Sequence, residues 1–504
     1  MRSATIKKSI SPVSIFILLF FIKAISFAFF IIPLWDVPDE TGHFAYVRDL
    51  AEFNGFPLLG EALIAEDIQT HVHQGEHAGP VRNWIAQHPP LYYLAATPFY
   101  WAGQLLTNDN EWLFRAPRIA SALSGALTLI IFNKILLHFE LGLLVRLSVI
   151  AFFASVPMFT LLSSGTNQDT TVALFCSLAT LYYIRFAKNK TYFNALWCAV
   201  FVSLAAFTKM TALVFSSILM LTVVIELKSV SGWNRWFLRS LILSLVALSL
   251  PGFWMARQYI NFGNPFATNT DLVNWQLKQP LLTSFSDYIQ NFPVFEQFFN
   301  HFYGLIGWSG GGFEGLHLLQ VQGVPYKYFT ICVFILTLFF AVVLFKNVKL
   351  IAANKNFTLI VITLVSVFIA YFVNPIEYKD IYLVIRDLIF SLWLFFIVVS
   401  ILVFFLKKRF FDKLIFYSLI ICGFMIIVVF YKVYEVYLLS GQLRAIHGRY
   451  FYPLLGFLVV FISYISVSFP RATRFLYPSM AVGFICLEGY VWFNEAIPFF
   501  WYRL

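Results

Sequence analysis

The stretch WDVPDETGHFAYVRDL, residues 35 to 50, sets two carboxylates side by side, Asp39 and Glu40, and follows them with His43. On a helix Asp39 and His43 are i, i+4 and Glu40 and His43 are i, i+3, so either carboxylate can share a face with the imidazole. A carboxylate so placed can take a proton from a hydroxyl, which accelerates a reaction by roughly 10²- to 10⁴-fold. It can also join the imidazole as a metal ligand, which makes His43 and Glu40 a candidate metal pair. The plain alternative is a helix start, where acids are favoured by the dipole. A further acid, Asp169, stands with Asn167 in SSGTNQDTT, and there the alternative is a cap for the next helix. His43, His71, His73, His77 and His88 are five of nine histidines, and THVHQGEH adds Glu76, a loose pattern for a divalent metal. Cations able to hold an anionic leaving group are Arg115, Lys209, Arg257, Arg444 and Arg449, each equally suited to anchoring a helix at a membrane surface.

These residues are carried by an unusually apolar chain. Of 504 residues 60% are hydrophobic and 12% charged, too little polar surface to cover a globular core. The fold class expected is an all-α polytopic membrane protein, one integral membrane domain over 1–504. A bilayer core needs about 20 apolar residues of helix. Thirteen runs approach that length: 13–34, 116–138, 143–164, 170–187, 192–208, 210–227, 238–256, 328–345, 357–374, 387–406, 414–432, 452–469 and 475–494. The first has the basic start of a signal peptide, but its apolar run is long and lacks a clear cleavage site, so a membrane anchor is expected. Cys176, Cys198, Cys332, Cys422 and Cys486 all fall inside apolar runs and read as small core hydrophobes.

Basic residues mark every second connection, from Lys7 and Lys8 through Arg146, Arg185, Lys228, Lys346 and Lys407 to Arg471, which places those connections and the N-terminus in the cytoplasm. The net charge of +10 is then an orientation signal and does not point to nucleic acid. Both long connections, 35–115 and 257–327, fall outside, and long loops tend to carry function. No cytoplasmic loop is long enough for a nucleotide-binding domain, and none of them carries a Walker or dinucleotide glycine pattern. Chemistry on the outer face has no access to ATP, so an activated donor has to arrive on the lipid. Within the first loop, Asp36 is expected to cap a helix whose first turn holds Pro38, Asp39 and Glu40. HPPLYYLAATPFYWAGQLL, residues 88–106, forms a second interfacial helix, and FRAPRIASALSG brings Arg115 and Arg118 to the start of the second span.

An acidic pair after the first span, a PPLYY helix and an R-x-x-R-I-A-S-A-L entry to the second span resemble the GT-C membrane glycosyltransferases, such as aminoarabinose transferases and protein O-mannosyltransferases. The whole chain is also similar to a bacterial family of membrane proteins with PDExxH, PPLYY, Asn-x-Asp, Trp-x-x-Arg-x(5)-Gly-x-Pro and a late GRYF-x-P. Here the last two are Trp254, Arg257, Gly263 and Pro265, and Gly448 to Phe451 with Pro453. Where aminoarabinose transferases carry a Lys before PPLYY, this chain has Gln87 and His88. The resemblance implies a GT-C-like bundle in a bacterial inner membrane. It implies sugar transfer from a polyprenyl-phosphate donor to a cell-envelope acceptor (lipid, glycan or protein) on the outer face, among membrane lipids. By the same resemblance Asp39, Glu40 and Asp169 are catalytic, Asp39 preferred as general base. His43, His88, Tyr92, Asn167, Arg257, Arg449 and Tyr450 bind substrate, Arg257 and Arg449 taking the donor phosphate. A transporter or flippase of a lipid-linked or amphipathic solute, or a glycan polymerase or ligase, are the rival readings. Lys23 is the one clear charge deep in a span, whereas transporters gather polar groups near the midplane.

Overall fold

In the computed structural model the described residues are 11–69, 81–229, 231–268, 288, 305–306, 316–317, 410–440 and 448–501. The chain packs as two units, 1–321 with 421–504, and 322–420. Of the second, only part of one helix lies among the described residues. Everything below concerns the first.

The described residues are almost wholly helical. Helix α1 is Pro12–Ser26; α2, Glu40–Ala51; α3, Glu66–Gln69; α4, Leu91–Leu106; α5, Asn110–Arg115; α6, Arg118–His138; α7, Leu143–Ala154; α8, Pro157–Ser163. There follow α9, Asp169–Asn189; α10, Tyr192–Thr208; α11, Ala212–Lys228; α12, Trp233–Phe262; α13, Phe410–Ser440; α14, Leu455–Ser468; α15, Pro470–Tyr490; and α16, Ile497–Trp501. Among the described residues seven helical stretches are long and apolar enough to cross a membrane, and α7 with α8 forms an eighth that is bent by 69°. The chain is a multi-pass membrane protein. Eight of the thirteen expected spans coincide with these stretches, 192–208 and 210–227 fall on the shorter helices α10 and α11, and 328–345, 357–374 and 387–406 lie outside the described residues. The bend follows from Pro157, whose ring disfavours helix at the preceding residue, and Val156 is extended with ψ 114.

Two guanidiniums close the first span. Its last turn widens into a π-helix, Phe27–Ile31. Arg118 donates to the carbonyls of Ala28, Ile32 and Pro33 at 2.7, 3.0 and 2.8 Å, and Arg115 to those of Ala28 and Ile32 at 3.1 and 2.8 Å. Helix C-termini leave carbonyls without partners and carry partial negative charge, so two cations at R-x-x-R spacing satisfy both needs. Arg115, weighed as an anion-binding cation, is used in this cap.

Helix α9 is central and largely buried, packing against α6, α10, α14 and the 3₁₀ turn Gly448–Leu454. In the first loop α2 packs on α4 through a cluster of aromatic side chains, including Phe44, Tyr46, Tyr93 and Tyr100. The deep charge Lys23 has a partner not foreseen: its ammonium lies 2.8 and 3.0 Å from the oxygens of Glu488 on α15. Thr160 donates to Glu488 at 2.9 Å, and Lys23 reaches the Ala154 carbonyl at the α7–α8 break, 2.7 Å away.

Candidate active site

Asp39 and Glu40 are neighbours that face different ways. Helix α2 begins at Glu40, three residues later than a cap at Asp36 implies, and its N-cap position is Asp39. Asp39 occupies the N-cap position in the left-handed region, φ 62 and ψ 14, a conformation that Asp tolerates better than most residues. This kink takes the Asp39 side chain out of helical register with Glu40.

Glu40 points inward. Its Oε1 accepts from Arg118 Nε at 2.8 Å and from the Thr166 amide at 2.8 Å. Oε2 accepts from Arg118 Nη2 at 2.7 Å and from the Trp35 amide at 3.0 Å. Arg118 is 0% and Glu40 1% exposed. Glu40 thus serves as the counterion that joins α2, α6, the end of the first span and the turn before α9. Both oxygens of Glu40, expected as a metal ligand with His43, are taken by Arg118 and the two backbone amides. Among the described residues no three His, Cys, Asp or Glu side chains converge as metal ligands. His71, His73, His77, Glu76 and Arg444 lie outside the described residues.

Asp39 points the other way. Oδ2 accepts from Arg449 Nη2 at 2.7 Å and Oδ1 from the Trp84 indole at 3.2 Å, with a quarter of the side chain open. Arg449 also lies 3.8 Å from Asp169 Oδ2, and Lys209 donates to Asp169 Oδ1 at 2.5 Å. Two carboxylates and two cations therefore form one row, Asp39, Arg449, Asp169, Lys209, drawn from four places far apart in the chain. Tyr450 lies under both cations, 5.0 Å from Lys209 and 5.8 Å from Arg449. Alternation of the spans puts residues 39, 169, 209 and 449 at one side of the membrane, in agreement with their meeting.

The approach depends on small groups. A Cβ on Gly165 would stand 2.6 Å from the Cβ of Val37, so glycine lets the turn before α9 press against the segment leading to Asp39. Asn167 completes the junction: its Oδ1 accepts from the Asp169 amide at 2.7 Å and its Nδ2 donates to the Pro38 carbonyl at 3.3 Å. Tyr92 works at the same level, its hydroxyl accepting from the Asn167 amide at 2.8 Å and bonding Ser121 Oγ at 2.8 Å. Both side chains are fully buried. They position the site from beneath, which differs from the substrate contact expected of them. One residue along α4, about 100° around the helix, Tyr93 faces the site. Its hydroxyl is 2.9 Å from His43 Nδ1 and donates to Gln168 at 3.3 Å.

Charge balance sets the protonation states. Burial pushes the Asp39 carboxyl upward, but Arg449 and His43, with the hydrogen bonds from Arg449 and Trp84, outweigh it and hold Asp39 below its ordinary value. It is ionised at neutral pH. Burial lowers His43 to about 4, against the pull of Asp39 and Asp169 and with the help of Lys209 and Arg449. His88, whose ring is 6.5 Å from that of His43, is held well below its ordinary value by burial and then by Lys209. Both imidazoles are neutral at pH 7.

An unfolded histidine takes up its proton near pH 6.5, whereas folded His43 does so at about 4. Between those values the unfolded state binds more protons, so stability falls as the pH is lowered through that window. In a His43→Gln variant the decline in melting temperature from pH 6.5 to 4 should be shallower than in wild type. An identical decline would mean that His43 is protonated when folded.

Arg257 is placed apart from the row. Its Nη2 donates to the carbonyls of Phe56 and Pro57 at 3.0 and 3.2 Å, and its guanidinium lies over Trp254 at 4.7 Å. No carboxylate among the described residues forms an ion pair with it. Tyr93, Trp84, Gln168 and Arg118 had drawn no attention in the sequence as groups at the site, and Lys209 had stood only as one cation among several. Tyr93 and Arg118 carried a local signal, as the second tyrosine of PPLYY and the second arginine of R-x-x-R-I-A-S-A-L.

Comparison with known proteins found no matching family model and no matching curated protein. Three solved structures are similar in part. A chain of the Saccharomyces cerevisiae protein O-mannosyltransferase Pmt1-Pmt2 complex, bound to the sugar donor, is 15% identical over 52% of this chain, with a TM-score of 0.34. The match spans 34% of that yeast chain, about a third of its length. ArnT from Cupriavidus metallidurans in the apo state is 13% identical over 91% of this chain and 79% of its own, with a TM-score of 0.35. The same protein bound to undecaprenyl phosphate is 14% identical over 91% and 78%, with a TM-score of 0.34. What the site does has to be read from its own residues.

Proposed function

We propose that the protein is a glycosyltransferase that moves a sugar from a polyprenyl-phosphate donor to a cell-envelope acceptor on the extracytoplasmic face of a bacterial inner membrane. The observation that carries this reading is Asp39: an ionised carboxylate, partly open, held at the end of the first span beside the cations of the row. Asp39 is the general base. It takes the proton of an acceptor hydroxyl as that oxygen attacks the anomeric carbon. The bond from that carbon to the donor phosphate breaks, and its electron pair leaves with polyprenyl phosphate. Attack from the side opposite the leaving group inverts the anomeric carbon.

A departing phosphate needs cationic help. Arg257, with no carboxylate partner among the described residues, is the natural anchor for the donor phosphate. Arg449 and Lys209, in the row, supply further positive charge, balanced by Asp39 and Asp169 until the donor arrives. A phosphate that drew Arg449 toward itself would loosen its hold on Asp39 and raise the basicity of that carboxylate. Donor binding would then prepare the base for the acceptor. His43 and His88, neutral, are donors or acceptors toward the substrates, and Tyr450 lines the cationic side. With Glu40 committed to Arg118, no step is assigned to a metal.

A transporter is the second reading, drawn from the Lys23–Glu488 pair beside the bent span. That pair is closed by Thr160 and by a backbone carbonyl, whereas the chemistry-bearing groups gather at helix ends. A glycan polymerase or ligase would share the chemistry proposed here and differ in acceptor. Binding of polyprenyl-phosphate sugars to purified protein tests the donor assignment. In Arg257→Lys, charge remains, but a single ammonium cannot replace a guanidinium that holds the Phe56 and Pro57 carbonyls through Nη2 and offers Nη1 to the phosphate. Donor affinity should fall by about tenfold, the size of one charge-assisted hydrogen bond. Wild-type affinity in Arg257→Lys would make this arginine a helix anchor only.

A further inference from the structure

Near the end of α12, three side chains keep polar atoms buried without a hydrogen-bond partner among the described residues: Trp254 Nε1, Arg257 Nη1 and Gln258 Oε1. Trp254 is 0% and Gln258 1% exposed. Positions i, i+3 and i+4 lie on one face of a helix, so the three atoms belong to one surface. Its boundaries are firm. Arg257 is pinned through its other nitrogen to Phe56 and Pro57 and stacked on Trp254. Gln258 Nε2 reaches the Gln87 carbonyl at 3.4 Å, and Tyr46 donates to the next carbonyl, that of His88, at 3.3 Å. The surface therefore meets the rim of the first loop that also carries His88.

Buried polar atoms without partners are rare, because each forfeits its bonds to water and gains none in return. Phenylalanine at 254 and methionine or leucine at 258 would fill the same space without that penalty. The chemistry of the three atoms narrows what could satisfy them. An acyl chain would pair with none. A phosphate would accept from Trp254 and Arg257 but has no proton for Gln258 Oε1. A ring bearing adjacent hydroxyls both donates and accepts, and it satisfies all three together.

We infer that the Trp254–Arg257–Gln258 face of α12 binds the polyhydroxylated ring of the glycosyl phosphate, with Gln258 accepting from one hydroxyl, Trp254 donating to another and Arg257 on the phosphate side. The inference rests on the donor reading above and adds to it the residues that select the sugar. Sites built to hydrogen-bond a hydroxyl discriminate strongly against analogues that lack it, because their own buried groups are then left unpaired. Trp254 and Gln258 thus set which sugar is carried, while Asp39 and the row beside it carry out the transfer whatever the sugar.

The test uses full-length protein and the conservative variants Trp254→Phe and Gln258→Met, each removing the polar atom while keeping most of the volume. The probes are polyprenyl monophosphate with no sugar, and polyprenyl phosphates bearing glucose, mannose, galactose or arabinose. Wild type should bind at least one sugar-bearing lipid more tightly than the bare one. Both variants should weaken that binding by about tenfold or more, with affinity for bare polyprenyl phosphate unchanged. Ligand-free Gln258→Met should melt no lower than wild type, since a merely structural glutamine would be missed. Variants that discriminate sugar from bare lipid as wild type does, or that lose both affinities equally, overturn this inference alone. A wild type that binds no member of the panel overturns the donor reading and this inference with it.

Discussion

Asp39→Asn is expected to lower the rate of sugar transfer by about 10²- to 10⁴-fold, the usual contribution of a positioned general base. The substitution keeps the shape of the side chain and its acceptor toward Trp84. It removes the proton-accepting oxygen and the charge that pairs with Arg449. Arg449, still beside Asp169 at 3.8 Å, is then held by one carboxylate fewer, so donor affinity in Asp39→Asn should equal or exceed that of wild type. Loss of turnover with donor binding preserved separates a base from a binding group, because an interaction realised only in the transition state lowers turnover and leaves ground-state binding intact. Glu40→Gln does not mimic this pattern. Its oxygens face Arg118, so the variant should suffer in stability before it suffers in chemistry. Equal donor and turnover losses in Asp39→Asn would assign Asp39 to binding.

The largest effect on stability is expected at the other carboxylate's partner. Arg118→Met removes a guanidinium that bonds both oxygens of Glu40 and three carbonyls at the end of the first span. Removing one partner of a buried pair leaves an uncompensated charge, and the cost is about 3–5 kcal/mol. Glu40 would retain only the amides of Thr166 and Trp35. The double variant Arg118→Met with Glu40→Gln removes the stranded charge, so it should recover part of the loss. Thermal unfolding in one detergent gives all three values. A double variant no more stable than Arg118→Met alone would locate the defect in the carbonyl cap instead of the ion pair.

The spans were legible because lipid is their solvent: the exposed side chains of Leu18, Leu19, Phe253 and Ile427 sit in runs that composition alone reveals. The ends of those runs were also legible, and alternation of basic connections put Asp39, Asp169, Lys209 and Arg449 at one side. Their pairing was not. Asp39 and Arg449 are 410 residues apart, and nothing local says which cation a carboxylate will meet. Asp39 and Glu40 could not be told apart for a different reason. Two adjacent acids look alike until the backbone is known, and the left-handed turn at Asp39 is what gives one to the site and the other to the interior. Arg118 was hidden by position, since an arginine at the start of a span reads as an interfacial anchor. Glu488 was hidden because its partner is 465 residues away in the chain: it neutralises Lys23 within the helices.

The most direct test of the central claim is transfer by the purified protein in liposomes, given polyprenyl phosphates with radiolabelled sugars and an extract of envelope lipids and glycans. Label should leave the donor and enter the envelope fraction, with polyprenyl phosphate released in equal amount, and Asp39→Asn should stop both. Label that crosses the bilayer still attached to its lipid without being transferred would contradict the claim, as would full transfer by Asp39→Asn.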